Sequence, residues 1–216
     1  MRNRSFLLCV LLLASCASGS VAGNEEYRLG LQYLHGDGVP EDHAKAIEHL
    51  TRAGELGSPE ADTTLGYLTL RGNGVLKDEV RGLQLFKRAA LNGARDAQYN
   101  VGLAYAKGIG TKEDFSEAIK WFRKAALKGD VGSQYNLGVM ELNGEGTVRN
   151  PIAAYVWFSL AADQGYEGAA SGMQTAKNSL SSEQVQTLPD EIAKIASQIK
   201  VPESIQQTMK VQMQPL

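Results

Sequence analysis

The stretch "KGIGTKED" at 107–114 has the residue types of a phosphate site, with two glycines two apart and then a threonine and a lysine. Loops of that kind bring backbone N–H groups close to an anion. A second chemical candidate is Ser197-Gln198-Ile199-Lys200, the Ser-x-x-Lys spacing of penicillin-recognising enzymes. The three histidines, His35, His43 and His49, are candidates for metal ligation or proton transfer. Adjacent acids such as Glu41-Asp42 and Glu113-Asp114 raise the question of acid–base work.

The surrounding sequence supports none of these. A phosphate loop of the Walker type ends in Gly-Lys followed by Ser or Thr, and no such tripeptide occurs. The Ser-Asp-Asn and Lys-Thr-Gly companions of the Ser-x-x-Lys chemistry are missing, so Ser197–Lys200 reads as a helix end. The histidines lack the His-Glu-x-x-His spacing that puts two ligands on one helix face. The expectation is no catalytic residue, no metal site and no cofactor. A formal net charge of −2 over 216 residues also lacks the basic footprint of a nucleic-acid binder.

The glycines have another origin. "HGDGVPED" at 35–42, "RGNGVLKD" at 71–78, "KGIGTKED" at 107–114 and "NGEGTVRN" at 143–150 recur every 36 residues without insertion. Gly30, Gly66, Gly102 and Gly138 keep the same register, as do Ala53, Ala89, Ala125 and Ala161. A fixed period of this length is the signature of a solenoid built from stacked supersecondary units. The copies also explain the histidines. Positions 35 and 49 hold Arg71, Lys107, Asn143, Leu85 and Trp121 in other copies, none of them a metal ligand of the same kind.

Each copy reads as two helices. In the third, Ala97, Val101, Ala104 and Tyr105, then Ala118, Trp121, Phe122 and Ala125, recur at helical spacing. Asp42, Asp78, Asp114 and Asn150 stand where an N-cap of the second helix belongs, and Pro151 follows the last of them as a first helical residue. The paired acids are then first-turn charges that favour the helix dipole. The loop glycines fall where helices stop.

These motifs carry a resemblance. Leu65-Gly66, Gly72-x-Gly74-Val75 and Ala89-Ala90-x-x-Gly93 resemble the Sel-like repeat family, relatives of tetratricopeptide repeats. Gln98-Tyr99-Asn100-Val101-Gly102, Gln134-Tyr135-Asn136-Leu137-Gly138 and Ala154-x-x-Trp157-Phe158 fit it closely. Departures are Thr69 and Glu141 where Tyr33 and Tyr105 stand in other copies, and His49 and Leu85 at the Trp121 and Trp157 register. The cysteine pair that staples many secreted relatives is also missing. The resemblance implies an all-α fold, a right-handed α-solenoid of antiparallel helix pairs, with Trp121, Phe122, Trp157 and Phe158 in its core.

The N-terminus is separate. Arg2 and Arg4 precede an apolar run from Phe6 to Leu13, the layout of a secretory signal too short to span a bilayer. Leu13-Ala14-Ser15-Cys16 resembles the bacterial lipoprotein processing motif, which makes Cys16 the lipidated first mature residue. Only Cys9 and Cys16 occur, so cleavage there leaves a single cysteine and no intramolecular disulfide. Ala17 rather than Asp after Cys16 resembles the signal for an outer-membrane destination. Ordinary cleavage after Ser20-Val21-Ala22 is the alternative, giving a soluble periplasmic or secreted chain. The expected organisation is a signal peptide over 1–15, a linker over 16–24, four repeats over 25–166, a partial repeat with a capping helix over 167–200, and a flexible tail over 201–216.

The functional expectation follows from the resemblance. It is a non-enzymatic protein–protein interaction scaffold of the bacterial cell envelope, with a protein or peptide partner, no nucleic acid, and membrane contact only through the lipid at Cys16. By tetratricopeptide analogy a concave groove lined by the first helices would present Arg28, Thr64, Tyr67, Tyr99, Asn100, Tyr135 and Asn136. Tyrosine and asparagine give rigid contact area and amide hydrogen bonds to an extended backbone. The alternative is partly buried packing for Tyr99 and Tyr135 and local structural bonds for Asn100 and Asn136. The alternative functions are a cell-wall or β-lactam-related envelope enzyme or ligand binder, and an exported factor binding host proteins.

Overall fold

The computed structural model describes residues 21–186 and 189–190. Among these the chain is all helix and turn, with no strand. Helix α1 covers 21–35, so it begins inside the span expected to be a linker. There follow α2 (His43–Glu55), α3 (Pro59–Arg71), α4 (Glu79–Leu91), α5 (Arg95–Lys107), α6 (Phe115–Ala126), α7 (Val131–Asn143), α8 (Pro151–Asp163) and α9 (Ala169–Asn178). A further helical segment covers 182–186. Odd and even helices alternate as the first and second members of the repeated pairs.

The helix ends follow from side-chain chemistry. Asp42 accepts from the Lys45 amide at 3.0 Å, Asp78 from Arg81 at 2.9 Å, Asp114 from Glu117 at 2.9 Å and Asn150 from Ala153 at 3.0 Å. Each satisfies a donor that a helix N-terminus leaves orphaned. The same four residues also donate their own N–H back to the preceding helix, to Tyr33, Thr69, Tyr105 and Glu141 carbonyls. The hairpin loop is thereby closed on both sides. Gly144 ends α7 at φ 77°, where a Cβ would be strained. Gly146, at φ 69°, has a second requirement: a Cβ there would meet the Phe115 backbone at 2.5 Å. The two loop glycines thus serve different needs, one stopping a helix and one letting the loop lie on the first turn of α6.

The described residues fall into two compact units. One runs to Ala97 and takes in Ile109–Thr111; the other holds Gln98–Gly108 and the chain from Lys112 onward. In the first, Leu50, Ala53, Ala61, Leu65 and Leu68 form an apolar cluster, with Leu85 packed on its edge. In the second, Phe122, Leu137, Trp157 and Phe158 anchor a larger one. The expected core aromatics divide: Phe122, Trp157 and Phe158 are buried, while Trp121 is half-buried with Lys124 Nζ 4.0 Å above its ring.

The register glycines of the first helices are explained by these aromatics. A Cβ on Gly66 would lie 2.8 Å from the Phe86 ring, on Gly102 2.6 Å from Phe122, and on Gly138 2.7 Å from Phe158. The bare backbone is the floor on which each second-helix phenylalanine sits. In the first pair Leu50 takes that place over Gly30.

Candidate functional site

Repetition lets the interaction positions be compared within one molecule. Tyr67 meets Phe86 edge-on at 5.0 Å between centroids, Tyr99 lies 5.9 Å from Phe122, and Tyr135 lies 5.5 Å from Phe158. A Cβ on Gly132 of α7 would come within 3.1 Å of the Tyr99 ring, so Tyr99 spans from α6 to the next first helix. Tyr135 also stacks at 4.8 Å on Tyr166. Tyr99 and Tyr135 are half-buried packing residues with one open edge, and Tyr67 is the more exposed at 39%.

The residue after Tyr99 and after Tyr135 belongs to a polar row. Arg28, Thr64, Asn100 and Asn136 share one register on α1, α3, α5 and α7. Arg28 is exposed and pairs with Glu25 at 2.7 Å. Thr64 donates to the Glu60 carbonyl at 3.0 Å, a bond within its own helix. Asn136 differs: it is half-buried, and its amide makes no hydrogen bond to any described residue. An asparagine side chain offers two donors and an acceptor, the complement of an extended peptide's own backbone.

Ion pairs occupy the neighbouring register. Asp62, 2% exposed, receives a two-pronged hydrogen bond from Arg88. Glu26 takes the same position in α1, bonded to His49 Nδ1 at 2.7 Å and to Arg52 at 3.4 Å. The His49 bond, with Arg52 assisting, holds the Glu26 carboxyl below its ordinary value against the opposing effect of burial. His49 stacks on Tyr33 at 5.5 Å and is thus a structural partner. His43 pairs with Glu41 at 2.9 Å, and His35 is exposed. Among the described residues no three His, Cys, Asp or Glu side chains gather as a metal site. At "KGIGTKED" the first amides of α6 face the Asp114 carboxylate, so an anion would have to displace a resident one. Ser197–Lys200 and Cys16 lie outside the described residues.

The sequence reading missed one feature. Helices α2, α3 and α4 and the loop between the latter two line an open cleft of about 720 Å³. Its apolar lining includes Ile47, Leu65, Leu85 and Leu76, the last 92% exposed. The available signal was Leu85, which stands in the register of Trp121 and Trp157.

With this geometry in view, the comparisons with known proteins are direct. A family model described as Sel1 repeat matches residues 26–58, 59–93, 95–130 and 131–166. No curated protein matches. Among solved structures, c5321, a protective antigen present in uropathogenic Escherichia coli strains displaying an SLR fold, is 36% identical with a TM-score of 0.68. A Sel1 repeat protein from Oxalobacter formigenes is 29% identical with a TM-score of 0.62. Each alignment covers 70% of this chain, but only 32% of the first and 60% of the second neighbour. Sel1 repeat folds typically act as non-catalytic scaffolds for protein–protein interaction. The four matched repeats, in the same register as the capped helix pairs and glycine floors above, show that the chain belongs to the Sel1 repeat family.

Proposed function

We propose that the protein is a non-enzymatic adaptor of a bacterial cell envelope, held at the membrane through lipid on Cys16, that binds a protein partner on α7 at Asn136. The observation that carries the binding reading is Asn136. Its half-buried amide makes no hydrogen bond to a described residue, so a partner can take up its two donors and its acceptor without displacing an internal bond, and it is next in sequence to the half-buried Tyr135. An extended peptide backbone would satisfy it, with the tyrosine ring as contact area. Envelope placement rests on Arg2, Arg4, the Phe6–Leu13 run and Cys16.

The test is site-specific photocrosslinking in cells, with the crosslinker placed at the exposed Glu167, beside the Tyr166 that packs on Tyr135 in the same unit, and Asn136→Ala as the comparison. Because Asn136 makes no hydrogen bond to any described residue, the variant should melt at the wild-type temperature. A defined crosslinked species that disappears in Asn136→Ala supports the adaptor reading. The same species captured equally by both chains sinks it. Fractionation of Cys16→Ser tests the anchor separately: the variant should leave the membrane fraction, and retention there would refute lipid attachment.

A further inference from the structure

The cleft on the second-helix side of the first unit is a separate surface and does not depend on the adaptor reading at Asn136. Its two ends carry opposite charges. Arg81, in the first turn of α4, has no side-chain hydrogen bond or ion pair to any described residue. Glu55, the last residue of α2, has no such bond either, though its field reaches Arg88. The other charges at the cleft are engaged: Asp78 caps α4, and Arg88 holds Asp62. Between the two open charges lies an apolar floor of Ile47, Leu65 and Leu85, with Leu76 exposed at the rim.

The opening has a cause in the sequence. Position 85 is tryptophan in the third and fourth copies, and Trp157 is 2% exposed inside the second unit's core. Leucine at 85 is smaller than the tryptophans of that register, which are half-buried at 121 and buried at 157. Arg81 stands in the first turn of α4 and Glu55 ends α2, and the two helices that frame the cleft are each 13 residues, about 20 Å long. A groove of that length between helices fits a short helix better than a single side chain.

We infer that this cleft docks an amphipathic helix from another protein. The helix would lay aliphatic or aromatic side chains on Ile47, Leu65 and Leu85, and place a carboxylate against Arg81 and a cation against Glu55.

The experiment selects binders to the full chain from a displayed library of fourteen-residue helical peptides, apolar on one face and randomised for charge at both ends. Selected peptides should carry an acid at one end and a base at the other. Arg81→Glu should weaken them by at least about tenfold, and exchanging the peptide's acid for lysine should restore binding. Leu85→Trp should abolish binding while leaving the melting temperature unchanged or raised, because this fold already accepts tryptophan at that register. Arg81 is exposed, so Arg81→Glu remains informative even if Leu85→Trp misfolds. Binders indifferent to both variants would overturn the proposal. So would selection of extended rather than helical peptides, or self-association of the chain that Leu85→Trp removes.

Discussion

Two glutamates that open or close a first helix behave in opposite ways, and burial relative to partners decides which. Glu26 accepts from His49 and Arg52, and this outweighs its desolvation, so its carboxyl lies below the reference value of 4.5. Its stabilisation is present above that value and is lost as the pH falls through the lowered folded-state value. Glu141 is 6% exposed and has one distant partner, Arg123 at 3.5 Å. Burial dominates there and raises its carboxyl above 4.5, with Arg123 only partly opposing. The charged form is therefore disfavoured in the folded state, and this residue's contribution improves as the pH falls through the raised value. Glu141→Gln should raise the melting temperature at pH 7 by about 2–4 °C, the equivalent of ~1 kcal/mol in a chain of this size. That gain should shrink as the pH falls through the raised value and vanish well below pH 4.5, where wild-type Glu141 is protonated in both states. Thermal melts at the two pH values check it, and a loss at pH 7 would show that the Arg123 pair outweighs burial. Asp62 offers the converse. Its carboxylate is buried and its partner Arg88 is half-exposed, so removing the partner strands the charge. Arg88→Ala should cost about 1–3 kcal/mol. Asp62→Asn with Arg88→Ala should cost less than Arg88→Ala alone, measurable by urea unfolding.

At the scale of the helix pair, the stabilising unit is a glycine on the first helix beneath an aromatic on the second. Gly102→Ala would put a methyl 2.6 Å from the Phe122 ring, so the pair must separate or the ring must leave its rotamer. The expected cost is about 1–3 kcal/mol. Phe122→Ala alone should cost about 3–5 kcal/mol. In the Phe122→Ala background the Gly102→Ala penalty should shrink or change sign, because the ring it clashes with is gone. A double-mutant cycle reads this directly, and strict additivity would mean that Gly102 serves helix propensity rather than close approach. This element was legible in the sequence because it repeats: four capping residues, eight loop glycines and four floor glycines in one register leave little freedom. The site was less legible. Tyr99 and Tyr135 carry both packing and exposure, and a residue type alone does not divide the two. The cleft at Leu85 was harder still, since it is defined by volume that a side chain does not fill. Only the comparison of Leu85 with Trp121 and Trp157 hints at it. The polar row resolved into different states, with Arg28 and Thr64 bonded locally and Asn136 left open. That difference depends on neighbours three and four residues away, not on register.

For the whole molecule, the decisive property is that stability in a repeat protein is carried by contacts within a pair and between immediate neighbours. The described contacts obey this. Helix α3 packs on α2 and α4, and α8 packs on α7 and α9. The two apolar clusters described above lie one in each compact unit. A cavity made in one unit should then loosen that unit while leaving the other protected. Phe86 and Phe158 are matched probes, both buried and both seated on a register glycine. In native-state hydrogen exchange, Phe86→Ala should lower amide protection in α3 and α4, and Phe158→Ala in α7, α8 and α9. Protection in the unperturbed unit should change far less, because sub-global opening releases one cooperative block at a time. A uniform loss of protection along the chain in either variant would instead mean that the repeats unfold as one two-state body. The consequence for binding is specific. If the units open separately, a partner docked on α7 should protect the second unit alone, and a helix docked in the α2–α4 cleft should protect the first. Exchange measured with each ligand would therefore report which surface is occupied without any mutation at the surface itself.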